Sequence, residues 1–325
     1  MRVLAIPYSA LASVIFGMMI ISFPIGAYVV FNSDLGKDIT YEYPLQGFDI
    51  FLGGIGAKMP IQFELGDAFV VMWCTYLILF VVCTCGPKMN FMRALAALMT
   101  EGWQAIKNNG LLGMITWFSI LIVFSVAIDT VQQSVGITTK SPDVQNDLLK
   151  FFGVTASPLT EEVGFRMLLI GLPLYAMFSH RASFRHFFSS LWNPSANLDI
   201  TNYKKVISLV VAVGIFFGVA HIISGTPWSI GKLAQASVAG VIIGWVYVRY
   251  GLGPAILIHW ATNYFTVSYM AFLSTLNQTS IEKETTSAFL NNLEFLLLAA
   301  GLMAMAATVL IYLKSKKEPT ALAQA

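Results

Sequence analysis

Charge is what this chain has least of. Only 11% of its residues are Asp, Glu, Lys or Arg, against about 25% in soluble domains. With 57% hydrophobic residues, a water-soluble globule is excluded and an integral membrane protein is expected. No basic run exists to track a nucleic acid, and a formal net charge of +2 points to no partner. Cysteine is nearly missing too. The only three, Cys74, Cys83 and Cys85, share one apolar segment. That excludes a disulfide framework, and Cys-Thr-Cys is not metal-ligand spacing. They are expected as buried free thiols, with palmitoylation of Cys83 or Cys85 near a membrane face as the alternative. Internal repeats and low-complexity stretches are also missing.

Long apolar runs are abundant. A span needs about 20 residues, and candidates fall at about 8–31, 67–86, 111–131, 148–178, 204–223, 233–250, 254–274 and 288–313. The first, preceded by Arg2, exceeds a signal-peptide core and is read as a retained span. In the long fourth run, Ser157 is a plausible N-cap with Pro158 at the first helical position. Residues 148–156 would then form a separate interfacial turn. If they belong to the span instead, Glu161 drops to mid-bilayer. Eight crossings from a cytoplasmic N-terminus put 12 of the 19 Lys and Arg on the inner side and 6 on the outer, with Arg166 inside a span. Both termini are therefore expected in the cytoplasm. The outer loop at about 32–66 suggests a small hairpin, Phe48–Leu52 and 59–65 flanking glycine-rich 53–56. The tail after Lys317 is expected to be disordered.

Polar residues inside the apolar runs are few, and a charge there costs roughly 2.5–3.5 kcal/mol on insertion scales. Glu161 and Glu162 sit side by side in the fourth span, followed by Arg166. Glu162 and Arg166 are four apart and can pair on one helix face. Glu161 is rotated by about 100° and can face elsewhere. His221 ends Phe217-Gly218-Val219-Ala220-His221, and His259 shares a face with Asn263, four residues on. His180 and His186 lie in a basic inner loop and read as solvated or headgroup-facing. A lone intramembrane histidine is more often a packing hydrogen-bonder, and an isolated Glu–Arg pair more often structural. Their recurrence on three spans argues for one buried polar site. The charge rule places Glu161 and His221 toward the outer ends of their spans, yet His259 follows Pro254 by only five residues, near the inner end.

Carboxylate plus imidazole can activate water as a general base. A second imidazole with a carboxamide can donate to an oxyanion. Glu161, His221 and His259 are equally a catalytic zinc ligand set, although neither glutamate belongs to a His-Glu-x-x-His signature. Ligand economy favours no metal: zinc would leave only Glu162 as base, and Arg166 is placed to hold it as an ion.

Three motifs in order, E-E-x-x-x-R (Glu161, Glu162, Arg166), F-x-x-x-H (Phe217, His221) and H-x-x-x-N (His259, Asn263), resemble those of the CAAX prenyl endopeptidase and bacteriocin-processing (CPBP, or Abi) family of intramembrane proteases. The resemblance covers about residues 150–270, including Gly240 to Gly251 before the third motif. It implies an all-α polytopic bundle of about eight transmembrane helices around an internal polar cavity. The division would be an N-terminal membrane region 1–145, a catalytic core 146–275, and a last span with cytoplasmic tail 276–325. It implies that Glu161, helped by His221, activates water, that His259 and Asn263 stabilise the oxyanion, and that Arg166 orients the site through Glu162. The substrate would be a membrane-anchored protein or peptide, prenylated in the CAAX-type case, met within the lipid bilayer. Two other functions stay open. One is a non-catalytic membrane scaffold, which has no need of these polar residues. The other is a proton-coupled transporter, whose paired broken halves are not evident.

Overall fold

The computed structural model describes residues 2–37, 44–45, 48–52, 55–59, 63–141, 146–223 and 228–317. The expected disordered tail lies outside them. The architecture is a bundle of helices, and six are long and apolar enough to cross a membrane. These are α1 (Arg2–Asn32), α2 (Leu65–Cys85), α4 (Gly110–Ser134), α7 (Tyr203–Ile223), α8 (Lys232–Tyr250) and α10 (Ala288–Lys317). Two more helical stretches occupy the fourth and seventh expected spans. α5 covers 147–178 and α9 covers 252–277, and each is broken by a π-helical segment, Val163–Gly171 and Ala261–Phe265. Two shorter helices, α3 (Phe91–Glu101) and α6 (Phe184–Trp192), were not expected. In α6, Phe184, Phe188 and Trp192 are exposed while Ser190 and Leu191 are buried, the two-faced pattern of a helix lying along an interface.

The start of α5 differs from the sequence expectation. The helix begins at Asp147, where the Asn146 side chain accepts from the N–H groups of Leu148 and Leu149. The Asn146 cap and Asp147 in the first turn outweigh the Ser157-Pro158 signal. Pro158 lies inside the helix, where its missing N–H costs one helical hydrogen bond. In the same turn the Tyr76 hydroxyl donates to the Thr155 carbonyl at 2.6 Å. Residues 148–156 thus belong to the helix that carries Glu161.

Two kinds of contact fix the core. α7 and α8 meet through glycines. A methyl group on Gly218 would sit 2.7 Å from the Leu233 carbonyl, and one on Gly240 would sit 2.8 Å from the Gly214 carbonyl. Without a hydrophobic driving force between helices in lipid, such close backbone approach is the main source of attraction. The N-terminal spans use aromatic rings instead. Phe23 stacks on Trp260 at 5.1 Å, Phe80 meets the same ring edge-on, and the Tyr264 hydroxyl donates to the Ser22 carbonyl. α1 and α2 therefore brace α9 from behind.

The structure also explains how His259 reaches the depth of the glutamates. Residues 252–261 are buried throughout. The chain before them is covered by the end of α6, since a methyl group on Gly251 would sit 2.7 Å from the Trp192 carbonyl. The first turn of α9 is therefore buried inside the protein.

The hairpin is present with a different second strand. β2 (Phe48–Leu52) pairs antiparallel with β3 (Ile55–Met59), and β1 (Pro44–Leu45) pairs with β4 (Phe63–Glu64). β3 starts four residues earlier than expected because Leu52 pairs with Ile55. It stops before Pro60, which has no N–H to give to a ladder. Of the three free cysteines only Cys83 is buried. Cys74 and Cys85 are exposed, because the helix turns those two positions away from its neighbours.

Candidate active site

The buried part of the site is a relay between α5 and α9. Glu162 and Arg166 are both 0% exposed, and Arg166 Nε lies 2.9 Å from Glu162 Oε2. The contact is an ion pair and not an aligned hydrogen bond, and the two terminal guanidinium nitrogens find no acceptor among the described residues. The guanidinium also rests over the Phe217 ring, 4.7 Å from its centre, a cation–π contact that strengthens as water is excluded. The other Glu162 oxygen accepts from His259 Nδ1 at 2.8 Å. His259 Nε2 in turn faces the Asn263 amide at 3.2 Å, and the same amide nitrogen donates to the Ser157 hydroxyl at 2.9 Å. The i,i+4 pairs foreseen in the sequence, Glu162–Arg166 and His259–Asn263, both form. The bond that joins them, Glu162–His259, does not follow from spacing.

Hydrogen-bond logic fixes the histidine tautomers. A carboxylate only accepts, so His259 Nδ1 carries a proton. In the neutral ring Nε2 is then an acceptor for Asn263. His221 is held by its own helix: Nδ1 lies 2.8 Å from the Phe217 carbonyl. A carbonyl also only accepts, so Nδ1 carries the proton and Nε2 keeps a free lone pair in the neutral ring. Phe217 is the common wall, meeting His221 at 4.7 Å and His259 at 5.7 Å between ring centres. That gives the phenylalanine of the second motif a physical role.

Glu161 stands apart. Its side chain is 17% exposed, and Oε2 lies 3.9 Å from His259 Nε2. That oxygen has no hydrogen-bond partner among the described residues. No bond joins Glu161 to His221. All six sequence candidates are thus in one region, but the expected Glu161–His221 pair is not in contact, and His259 stands beside the glutamates instead. The trio Glu161, His221 and His259 does not gather as zinc ligands: among the described residues no three His, Cys, Asp or Glu side chains are grouped for a metal ion.

Both α5 and α9 carry their site residues at a π-helical segment, Arg166 in one and Asn263 in the other. Such segments recur at functional sites because the wider turn re-aims side chains. The run that contains these residues, 147–265, matches the family model described as type II CAAX prenyl endopeptidase Rce1-like. That stretch, a little over a third of the chain, is similar to the Rce1-like family. No curated protein and no solved structure matches the chain. The Rce1-like segment contains every residue of the relay and both histidines, while the bracing helices α1 and α2 lie before it.

Sequence reasoning missed three features near the site. Ser157, read as a cap, is the anchor of Asn263. The π-helical segments left no recognisable signal. Lys232, counted only as a loop charge, stands within electrostatic reach of both Glu161 and His221. A cavity of about 500 Å³ lined by Met167, Phe188, Ser189, Trp192 and Asn197 lies against α6, away from the glutamates.

Proposed function

We propose that the protein is an intramembrane endopeptidase that hydrolyses a peptide bond near the C-terminus of a membrane-anchored substrate, prenylated in the CAAX-type case. The family match supports CAAX-type endopeptidase activity. The observation that carries the mechanism is the contrast between two adjacent carboxylates. Both Glu162 oxygens have a close partner, Arg166 Nε at 2.9 Å in an ion pair and His259 Nδ1 at 2.8 Å in a hydrogen bond, whereas Glu161 Oε2 has no hydrogen-bond partner among the described residues and stands 3.9 Å from His259 Nε2. A buried carboxylate oxygen without a donor is costly, and a water or substrate group that gives it a proton removes that cost.

In the reading proposed, Glu161 accepts a proton from the attacking water, and the free lone pair of His221 Nε2 assists. The water oxygen adds to the scissile carbonyl, and the proton passes on to the leaving amine. This reading requires His259 to enter the cycle as the imidazolium, with the Nε2 proton taken from solvent beforehand and the charge facing Glu162 at Nδ1. Nε2–H and the Asn263 amide then donate to the developing oxyanion. Asn263 must release one of its present partners to do so. Arg166 holds the Glu162 carboxylate in place at 2.9 Å. No step uses a metal. The termini are proposed to face the cytoplasm on the Lys and Arg distribution.

The test is a cleavage assay with the purified protein and a prenylated CAAX peptide, comparing wild type with Glu161→Gln and adding a chelator. Activity that survives chelation and vanishes in Glu161→Gln supports the reading. A well-folded Glu161→Gln enzyme with wild-type turnover removes Glu161 as base. One tightly bound zinc per chain, lost with activity in His221→Ala, overturns the metal-free route.

A further inference from the structure

Lys232 has no part in the mechanism above, and its surroundings are unusual for a lysine. It is the first residue of α8, partly buried, with its ammonium 4.2 Å from the centre of the Trp228 ring. The Trp228 N–H donates to the His221 carbonyl at 3.0 Å. The cation is thus tied to the end of the helix that presents His221. Glu161 and His221 are both within its electrostatic reach, yet among the described residues no carboxylate comes within ion-pair distance of it. Among the described residues, the contact its charge makes is with a π face. Holding a desolvated ammonium beside a reactive carboxylate without pairing it is costly. The arrangement is stable once an anion arrives, and the N-terminus of α8 adds its partial positive charge at the same place.

We propose that Lys232 is a specificity residue that binds the free C-terminal carboxylate of the substrate peptide. This rests on the endopeptidase reading and adds the feature of the substrate that the site measures. An enzyme that removes a short C-terminal peptide must find the chain end, and the chain end differs from an internal segment by one negative charge. Three residues reach at most about 11 Å when extended. A cation near Glu161 but not in contact with it is therefore suited to hold the end while Glu161 serves the bond upstream. Trp228 fixes the direction of the ammonium, so less side-chain freedom is lost on binding.

Two peptides that differ only in a C-terminal carboxylate or carboxamide test the idea, in bilayers of zwitterionic lipid. Wild type should favour the carboxylate roughly tenfold or more, the range of one charge-assisted hydrogen bond, with the difference in KM. Lys232→Gln should bring the two peptides within about twofold of each other, and Lys232→Arg should restore part of the preference. Binding of the same peptides to Glu161→Gln protein, which needs no turnover, gives the second arm. If wild type cleaves neither peptide, the endopeptidase reading fails, and the binding arm still decides Lys232. Equal affinity for carboxylate and amide in the parent, or full discrimination in Lys232→Gln, overturns the proposal. A preference that appears only with anionic lipid assigns Lys232 to headgroups and overturns it as well.

Discussion

The two halves of the site are built on opposite rules. In the inner half, each group is held by a side chain from another turn or another helix: Arg166 by Glu162, Glu162 by His259, Asn263 by Ser157. In the outer half, Glu161, His221 and Lys232 are held by little beyond their own backbone or one aromatic face. Buried charges survive in a low dielectric only when paired, so the inner half is a frame. Groups that must meet water and substrate cannot be paired in advance, and on the proposed reading the outer half is where exchange takes place. Mutations of the buried Glu162–Arg166 pair should cost folding, mutations at the mouth should cost rate or selectivity, and Asn263, whose amide faces His259 Nε2 at the boundary of the two halves, should cost rate.

Glu161→Gln is the sharpest test of that division. A positioned general base contributes about 10²–10⁴ in rate. Turnover should fall by that order while the unfolding temperature stays at the wild-type value. Arg166→Ala should do the reverse in emphasis, losing about 3–5 kcal/mol of stability because Glu162 is left buried and unpaired. Chemical denaturation in detergent compares the two. Equal stability loss in both would erase the distinction between halves.

Asn263→Ala should lower kcat by roughly 10²–10³ with little change in KM, the mark of an oxyanion donor. A rise in KM at constant kcat would move Asn263 from the frame to substrate binding. Ser157→Ala removes only the hydroxyl that anchors Asn263. It should reduce kcat by several-fold, through the positioning of the amide, and Ser157→Thr should recover much of it. Identical kcat in Ser157→Ala would show that the π-helical turn alone orients the amide.

A satisfied carboxylate outside the spans supplies the smallest effect and a control. Glu284 accepts from Thr279 Oγ1 at 2.5 Å and Asn277 Nδ2 at 3.1 Å. The Thr279 hydroxyl, then the Asn277 amide, hold its carboxyl below the ordinary range. A folded-state value below the unfolded one stabilises above the unfolded pKa, and the gain is lost as pH falls through the folded one. Glu284→Gln should lower the unfolding temperature slightly at pH 7 and converge on wild type at acid pH. A difference that persists at pH 3 would mean the loss is packing and not charge.

The class of fold and the two i,i+4 pairs of the candidate site were legible because both are local properties. A run of apolar residues marks a helix that lipid can accept, and side chains four apart share a face whatever the helix packs against. Glu162 with Arg166, and His259 with Asn263, needed no more than that. The start of α5 was misread from equally local signals, since a plausible Ser-Pro cap lies inside a helix whose working cap is Asn146.

Other features were beyond the sequence for a physical reason. Glu162 meets His259 across 97 residues, and Ser157 meets Asn263 across 106. Such contacts depend on where whole helices cross and how they are rotated. Here the glycine contacts of α7 with α8, the aromatic bracing of α9, and the two π-helical turns set those rotations. The sequence determined which groups are available in the membrane. Local spacing pairs Glu162 with Arg166, but tertiary packing decided that His259 closes on its other oxygen while Glu161 is left open, because only the crossing of whole helices determines what stands opposite a side chain.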